Sequence, residues 1–224
     1  MYSCVENKYS IFLPRVDFFI PELPIVGGFS ICSSPKDLQS NNSIDLAIKY
    51  SDHPPAHWAH TKCKVGDKVQ MRVGGNFYLD LPQSNSFKSD ILLVAGGVGI
   101  NPLWSMIKFA SENTSSFGKT TLLFSASTKD ELLFKNQIID VCNKHPHLRC
   151  SFYISEKGAE DEVFDQWTQG GRITKEVLQR SLTQLESNNT RVFICGPQPM
   201  IQFVSDSLIG LGLGSEQIHI EKWW

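Results

Sequence analysis

A chain of 224 residues with 41% hydrophobic and 20% charged residues has room for one large globular domain or two small ones. Its formal net charge of -2, with both signs interspersed, supplies neither the basic field that selects nucleic acid nor a polybasic segment for an anionic membrane. Pro, Gly or charge interrupts every apolar run well short of the roughly 20 residues that span a bilayer, so small or locally steered partners are expected, with no membrane span.

The six cysteines, Cys4, Cys32, Cys63, Cys142, Cys150 and Cys195, show no CxxC spacing. That argues against a zinc site or a disulfide framework and for reduced thiols in an intracellular protein. The first residues, MYSCVENKYS, lack the basic start and apolar core of a secretory signal and the Arg-rich character of a transit peptide. Between mitochondrion and cytosol the sequence does not choose.

The first third alternates short apolar runs with turn chemistry. VDFFI at Val16–Ile20, FSIC at Phe29–Cys32, IDLAIKY at Ile44–Tyr50 and KVQMRV at Lys68–Val73 read as strands. Pro21 and Pro24, the Ser34-Pro35 pair, the Asp52–Pro55 stretch and Gly66-Asp67 supply the turns. The pattern predicts an antiparallel sheet folded as a small barrel or sandwich.

After the polar stretch Gln83–Ser89 the rhythm becomes strand, turn, helix. Strands are expected at Ile91–Ala95, Thr120–Ser127, Cys150–Ser155 and Arg191–Gly196. Helices are expected at Pro102–Ala110, Leu132–Lys144, Ile173–Leu185 and from Pro199 to about Leu208. Such alternation predicts an α/β domain with a doubly wound parallel sheet. The boundary falls near Ser86, which divides the chain into a partial barrel at 1–86 and an α/β domain at 87–224.

Two turns stand out. ILLVAGGVGINPLWSMI sets Gly96, Gly97 and Gly99 between a buried strand and a helix, where a backbone without side chains approaches a pyrophosphate and the helix N-terminus offers N–H groups. Asn101 is placed to cap, and Pro102 suits the first turn. The spacing is not GxGxxG, and glycines also serve turns that bind nothing. RVFICGPQPMIQFV ends another strand in Cys195-Gly196-Pro197, on the same rim of the sheet. A buried cysteine is usually a small hydrophobe, but the strand exit turns this thiol toward the crevice. No His is placed by the sequence to make it a nucleophile.

Together, AGGVGINP and CGPQPM resemble the nucleotide motifs of the ferredoxin-NADP reductase superfamily. LLFSASTKDELLFKNQI is similar to that family's second strand and helix, and GRIT at Gly171–Thr174 to the segment before its third helix. The resemblance, from about Val16 to Trp224, implies an N-terminal antiparallel barrel holding FAD and a C-terminal NAD(P)-binding domain. It implies that Gly96, Gly97, Val98, Gly99, Ile100 and Asn101 cradle the NAD(P)H pyrophosphate, with Asn101 where the family commonly has Thr. It places Cys195, Gly196 and Pro197 beside the nicotinamide, with Cys195 orienting the ring as the catalytic residue. Trp223 and Trp224 match an aromatic region that packs on the flavin. VRVGGNFYL, with Gly74 and Gly75, resembles the turn near the flavin phosphates, although a β-bulge or tight hairpin reads equally well from the residues.

The chain departs from the family at two places. The flavin motif Arg-x-Tyr-Ser stands here as Gly27-Gly28-Phe29-Ser30, so Phe29 keeps a stacking face and Ser30 its hydroxyl, while the phosphate-clamping cation is gone. A bidentate Arg on a diphosphate is worth about 1.5–3 kcal/mol. MYSCVENKYSIFLPR also does not resemble the family's opening strands, about two of them, so the chain reads as a truncated or alternatively started barrel with exposed edges.

HPPAHWAH carries His53, His57 and His60 in eight residues, but two prolines and the missing Cys or carboxylate partner argue against a metal. Trp58 is expected to pack the barrel. Lys129, Asp130 and Glu131 follow the second parallel strand, where an acid takes ribose hydroxyls and a cation the extra phosphate of NADPH; two acids against one base lean to NADH, though acids also suit a helix start. Glu221 reads as an acid touching nicotinamide or flavin, or equally as a surface charge. The expected function is a flavin-dependent NAD(P)H oxidoreductase that passes a hydride to FAD and electrons to an unknown acceptor. The alternative is a non-catalytic NAD(H)-binding module with a degenerate flavin region.

Overall fold

The computed structural model describes residues 14–21, 23–82, 88–156, 158–159, 163–185 and 189–222. Three short strands open the chain: β1 (Arg15–Phe19), β2 (Gly27–Ser30) and, after two helices, β3 (Gln70–Gly74). They pair antiparallel in the order β2-β1-β3. Arg15 lies opposite both Ser30 and Gly74, and Asp17 opposite both Gly28 and Arg72. Asp17 is buried and accepts from Arg72 at 2.8 Å, with Arg15 at 3.4 Å.

Two of the expected turns are helix starts. Ser34 Oγ accepts from the Asp37 N–H while the Asp37 carboxylate accepts from the Ser34 N–H, a reciprocal cap that launches α1 (Pro35–Asn41). Pro54 and Pro55 occupy the first turn of α2 (Pro54–Thr61), where a missing N–H costs nothing. The strand expected at Ile44–Tyr50 is absent; only an isolated bridge joins Leu46 to Ile31. Its alternation of side chains is real, but the backbone there bonds elsewhere: Cys32 donates to the Asp45 carbonyl, and Asn101 Nδ2 to that of Ala47. Trp58 lies half-buried on α2 and lines an open cavity of about 280 Å³ with Leu23, Asp52, Pro54, His57 and Lys62, rather than packing inside the sheet as expected.

The larger sheet follows from continuous apolar runs. β4 (Ser89–Gly96) is buried along its whole length, as a parallel strand covered on both faces must be. After it come α3 (Ile100–Glu112), β5 (Phe117–Ala126), α4 (Lys135–Lys144), β6 (Leu148–Ile154), β7 (Thr168–Gly170), α5 (Lys175–Leu182), β8 (Thr190–Gly196), α6 (Gln198–Gly210) and β9 (Ile218–Lys222). All pairs are parallel, in the order β7-β6-β5-β4-β8-β9. Alternate β4 residues divide the two cores. Ile91, Leu93 and Ala95 meet α3, α4 and the first region's Phe77 and Leu79, whereas Leu92 and Val94 meet α5 and α6. The edge strands β7 and β9 are short or half-exposed and leave no continuous apolar run, which is why the periodicity misses them. The order reverses direction at β4, so the crevice that α/β sheets use for ligands opens at the carboxyl ends of β4 and β8.

Helix α3 also fastens the first region to the second. Asn101, Ser105, Lys108 and Glu112 recur at helical spacing on one face. Ser105 Oγ donates to the Ser33 carbonyl at 2.6 Å, Lys108 pairs with Asp37 at 2.7 Å, and Glu112 accepts from Ser34 Oγ at 2.8 Å. Lys49–Glu131 at 2.8 Å and Arg191–Asp80 at 2.6 Å add two ion pairs. The boundary expected near Ser86 falls outside the described residues.

Candidate functional site

The two glycine turns touch. A Cβ at Gly99 would lie 2.1 Å from the Cys195 carbonyl oxygen, and one at Gly196 would lie 3.0 Å from the Gly96 backbone. A Cβ at Gly96 would strike Met200 Sδ at 2.7 Å and Pro197 Cδ at 2.8 Å. Gly96, Gly99 and Gly196 are therefore glycines because the ends of β4 and β8 must close on one another. Gly97 differs: its φ is +52°, and a Cβ there would meet nothing within 4 Å. It is the glycine of this turn that faces open space, with half-buried Val98 beside it.

Asn101 does not cap α3, which starts at Ile100, two residues earlier than expected, with Gly99 in the cap position. The side chain sits inside the first turn, 5% exposed, and donates from Nδ2 to the Ala47 carbonyl at 2.7 Å. Its Oδ1 is buried without a hydrogen-bond partner. Ile100 packs in the core, and Pro197 is the exposed cap residue of α6. Cys195 is wholly buried in the cluster shared with Ala95, Ile100, Phe77 and Phe193, so its thiol faces the packed seam between the regions and not an open crevice. Phe193, two residues before it on β8, packs edge-on against Phe77 of the first region at 5.7 Å.

β9, missed from sequence, carries the link between the two halves of the expected site. Glu221 lies opposite Cys195 in the parallel register. Burial raises its carboxyl above the usual value, and the Arg15 guanidinium partly offsets the rise. Arg15 in turn lies opposite Ser30 and Gly74. Register thus pairs Cys195 with Glu221 and sets Arg15 opposite both Ser30 and Gly74, with Arg15 near enough to Glu221 to act on its charge. Nothing local in the sequence marks Arg15, because only strand register brings residues 15, 30, 74 and 221 together.

On the first region, Phe29 is half-buried and packs edge-on against Phe18 at 5.4 Å. Ser30 Oγ is buried with no hydrogen-bond partner, an unsatisfied group of the kind a bound polar ring completes. Gly75 has φ +94° and abuts Pro14, as a tight turn requires, while Gly74 ends β3. Gly27 is sealed: a Cβ there would lie 2.5 Å from Pro55 Cβ on α2. Phe29 and Ser30 thus offer a half-buried ring and an unpaired buried hydroxyl, and Gly27, sealed by Pro55, has no room for a cationic side chain. Trp224 and Trp223 lie outside the described residues.

Of the candidates after β5, Glu131 is committed to Lys49 and to the Ser127 N–H, and Lys129 lies 4.7 Å over the Phe164 ring, leaving Asp130 exposed. The Lys49 contact holds the Glu131 carboxyl below its ordinary value. His60 bonds to the Ile48 carbonyl at 2.7 Å and His57 approaches Thr61 at 3.3 Å.

The oxidoreductase NAD-binding domain family model matches residues 93–206, a stretch that begins in β4, takes in both glycine turns and ends in α6. The chain belongs to the oxidoreductase NAD-binding domain family. Within curated proteins it is 47% identical over 218 residues to oxidoreductase NAD-binding domain-containing protein 1 of Danio rerio, covering 93% of this chain and 79% of the relative. The protein of the same name from Homo sapiens is 40% identical over 220 residues, covering 93% and 69%. In fold, the chain is similar to a ferredoxin NADP+ reductase from Neisseria gonorrhoeae solved with bound FAD and NADP. The TM-score is 0.73 at 20% identity, covering 97% of this chain and 87% of that one. The family fold accounts for the doubly wound parallel sheet preceded by a small antiparallel sheet, and the family supports a nicotinamide dinucleotide as ligand. Among the described residues no helix is long and apolar enough to cross a membrane.

Proposed function

We propose that this chain is an NAD(P)H-dependent oxidoreductase that gives the nicotinamide hydride to a flavin ring held against Phe29 and Ser30. In this reading the dinucleotide crosses the rim where β4 and β8 end. Its pyrophosphate lies over Gly97 and the N-terminus of α3, where backbone N–H groups and the helix dipole favour an anion. Its nicotinamide reaches the Cys195–Pro197 turn, and Glu221 beside it supplies a carboxyl whose charge is partly suppressed by burial.

The observation that supports this reading is strand register, which sets Glu221 opposite Cys195 at the end of β8 and Arg15 opposite Ser30 at the proposed ring site. A bound nicotinamide would supply the hydride and a flavin ring held against Phe29 and Ser30 would supply its acceptor. The residues here orient the two partners and exclude water, which is where the rate gain of such a transfer arises. The acceptor of the electrons after the flavin is not specified by this site. NADH is favoured over NADPH, since Lys129 is engaged with the Phe164 ring, Lys49 is paired with Glu131, and two acids, Asp130 and Glu131, follow Lys129.

The test is titration of the purified chain with NADH and NADPH by calorimetry, followed by anaerobic bleaching of added flavin. Gly97→Ala puts a methyl into open space at a positive φ, so the fold survives while NADH binding weakens by about tenfold, equivalent to ~1.4 kcal/mol. No NADH binding, or binding without bleaching of any flavin, sinks the proposal.

A further inference from the structure

A molecule laid against Phe29 and Ser30 and longer than its ring has two routes onward from the edge strand β2. One runs over α2, which packs on β2; the other runs over the face of β1 and β3. A phosphate on either route needs a cation or a set of backbone N–H groups.

The α2 route offers neither at its start. Gly27 carries no side chain, and Pro55 fills the space one would take. Pro54 and Pro55 occupy the first turn of the helix, so two of the N–H groups that a helix N-terminus presents to an anion do not exist. His53, the cap residue, makes no side-chain capping bond, and Lys62, which lines the adjoining cavity together with Asp52, sits at the far end of the helix. On the other route the two arginines are already turned to a carboxylate: Arg72 pairs with the buried Asp17 at 2.8 Å and Arg15 approaches it at 3.4 Å. The ring end, by contrast, keeps a half-buried aromatic face and a buried hydroxyl awaiting a partner.

We infer that the site recognises the isoalloxazine ring alone, so that flavin is an exchangeable co-substrate and riboflavin, FMN and FAD are taken without discrimination. This rests on the proposed hydride transfer and adds the identity of its acceptor class. NAD(P)H, a proton and oxidised flavin go in; NAD(P)+ and dihydroflavin leave, the latter carrying two electrons away from the protein.

The experiment is fluorescence-quenching titration of the full chain, without nicotinamide, by riboflavin, FMN and FAD. Dissociation constants within about threefold of one another are expected, less than the ~1.4 kcal/mol that marks tenfold discrimination. Inorganic pyrophosphate should leave FAD binding unchanged. FAD binding at least tenfold tighter than riboflavin overturns the inference, as does no riboflavin binding at its solubility limit. Ser30→Ala should weaken all three flavins by the same factor; no change in any removes the ring site. Gly27→Arg combined with Pro55→Ala supplies the missing cation and its space, and should tighten FAD and FMN while leaving riboflavin as it was. The proposed function fails separately: if the flavins bind equally but NADH does not bind, the hydride donor is wrong and the ring site stands.

Discussion

In the six-stranded sheet every residue of β4 is buried, whereas none of the five residues of β3 is, and Met71 and Val73 stand 49% and 46% exposed. One region is held by apolar cores on both faces of its sheet; the other joins it through Phe77 and Leu79, which enter one of those cores, and through a polar stripe of α3 and two outlying ion pairs. The division suits the chemistry proposed. A dinucleotide rim built from backbone passing within contact distance tolerates no play, while a surface that admits and releases a co-substrate needs less.

The sharpest way to break this contrast is at the rim. Gly99→Val drives a side chain into the Cys195 carbonyl, backbone that cannot swing aside, and should cost more than about 4 kcal/mol or prevent folding. A denaturation midpoint near that of the parent chain would mean the two turns are not locked together. Next come the two sheets themselves. Phe193, 1% exposed and packed between Phe77 and His219, should cost about 3–5 kcal/mol when changed to Ala. Val73→Ala, on the exposed strand, should stay within about 0.5 kcal/mol. Equal losses at the two positions would erase the distinction between the regions.

The fastening between them is worth less. Ser105→Ala leaves the buried Ser33 carbonyl without its donor, and should cost about 1–2 kcal/mol in urea melts. The smallest effect is acid dependence. Burial would raise the Asp37 carboxyl, but Lys108 and the Ser34 N–H outweigh it and hold it below its usual 3.8. A lowered folded value means that the stabilisation is complete above 3.8 and fades as the pH falls from there through the folded value. Asp37→Asn should therefore flatten the melting temperature against pH below 3.8 and leave His-dependent changes near neutrality as they were. A variant that keeps the parent's slope would place the acid sensitivity elsewhere.

The expected site was legible to different depths. Gly96 to Asn101 and Cys195 to Pro197 were placed by strand-turn-helix logic, and the structure does bring them together. The reason for the glycines was not legible: three of them serve backbone contact between turns a hundred positions apart, and Gly97 alone opens to solvent. Asn101 read as a cap because a polar residue stood before Pro102; the helix begins two residues sooner, at Ile100, and the side chain is spent on Ala47. Ser34-Pro35 and His53-Pro54-Pro55 read as turns because proline breaks helices, but it also begins them, and only the capping bonds tell the two apart.

By itself the sequence determined the parallel half and its rim, because strands buried on both faces must be unbroken apolar runs, and the Gly and Pro punctuation that follows them acts locally. Tertiary structure alone decided what lies beside what. Register joined Arg15 to Ser30 and Gly74 and set Glu221 beside Cys195, packing laid Pro55 over Gly27, and the half-exposed edge strand β9 carried the link. Contacts between residues so far apart along the chain are fixed by how surfaces fit, and leave no local pattern to read.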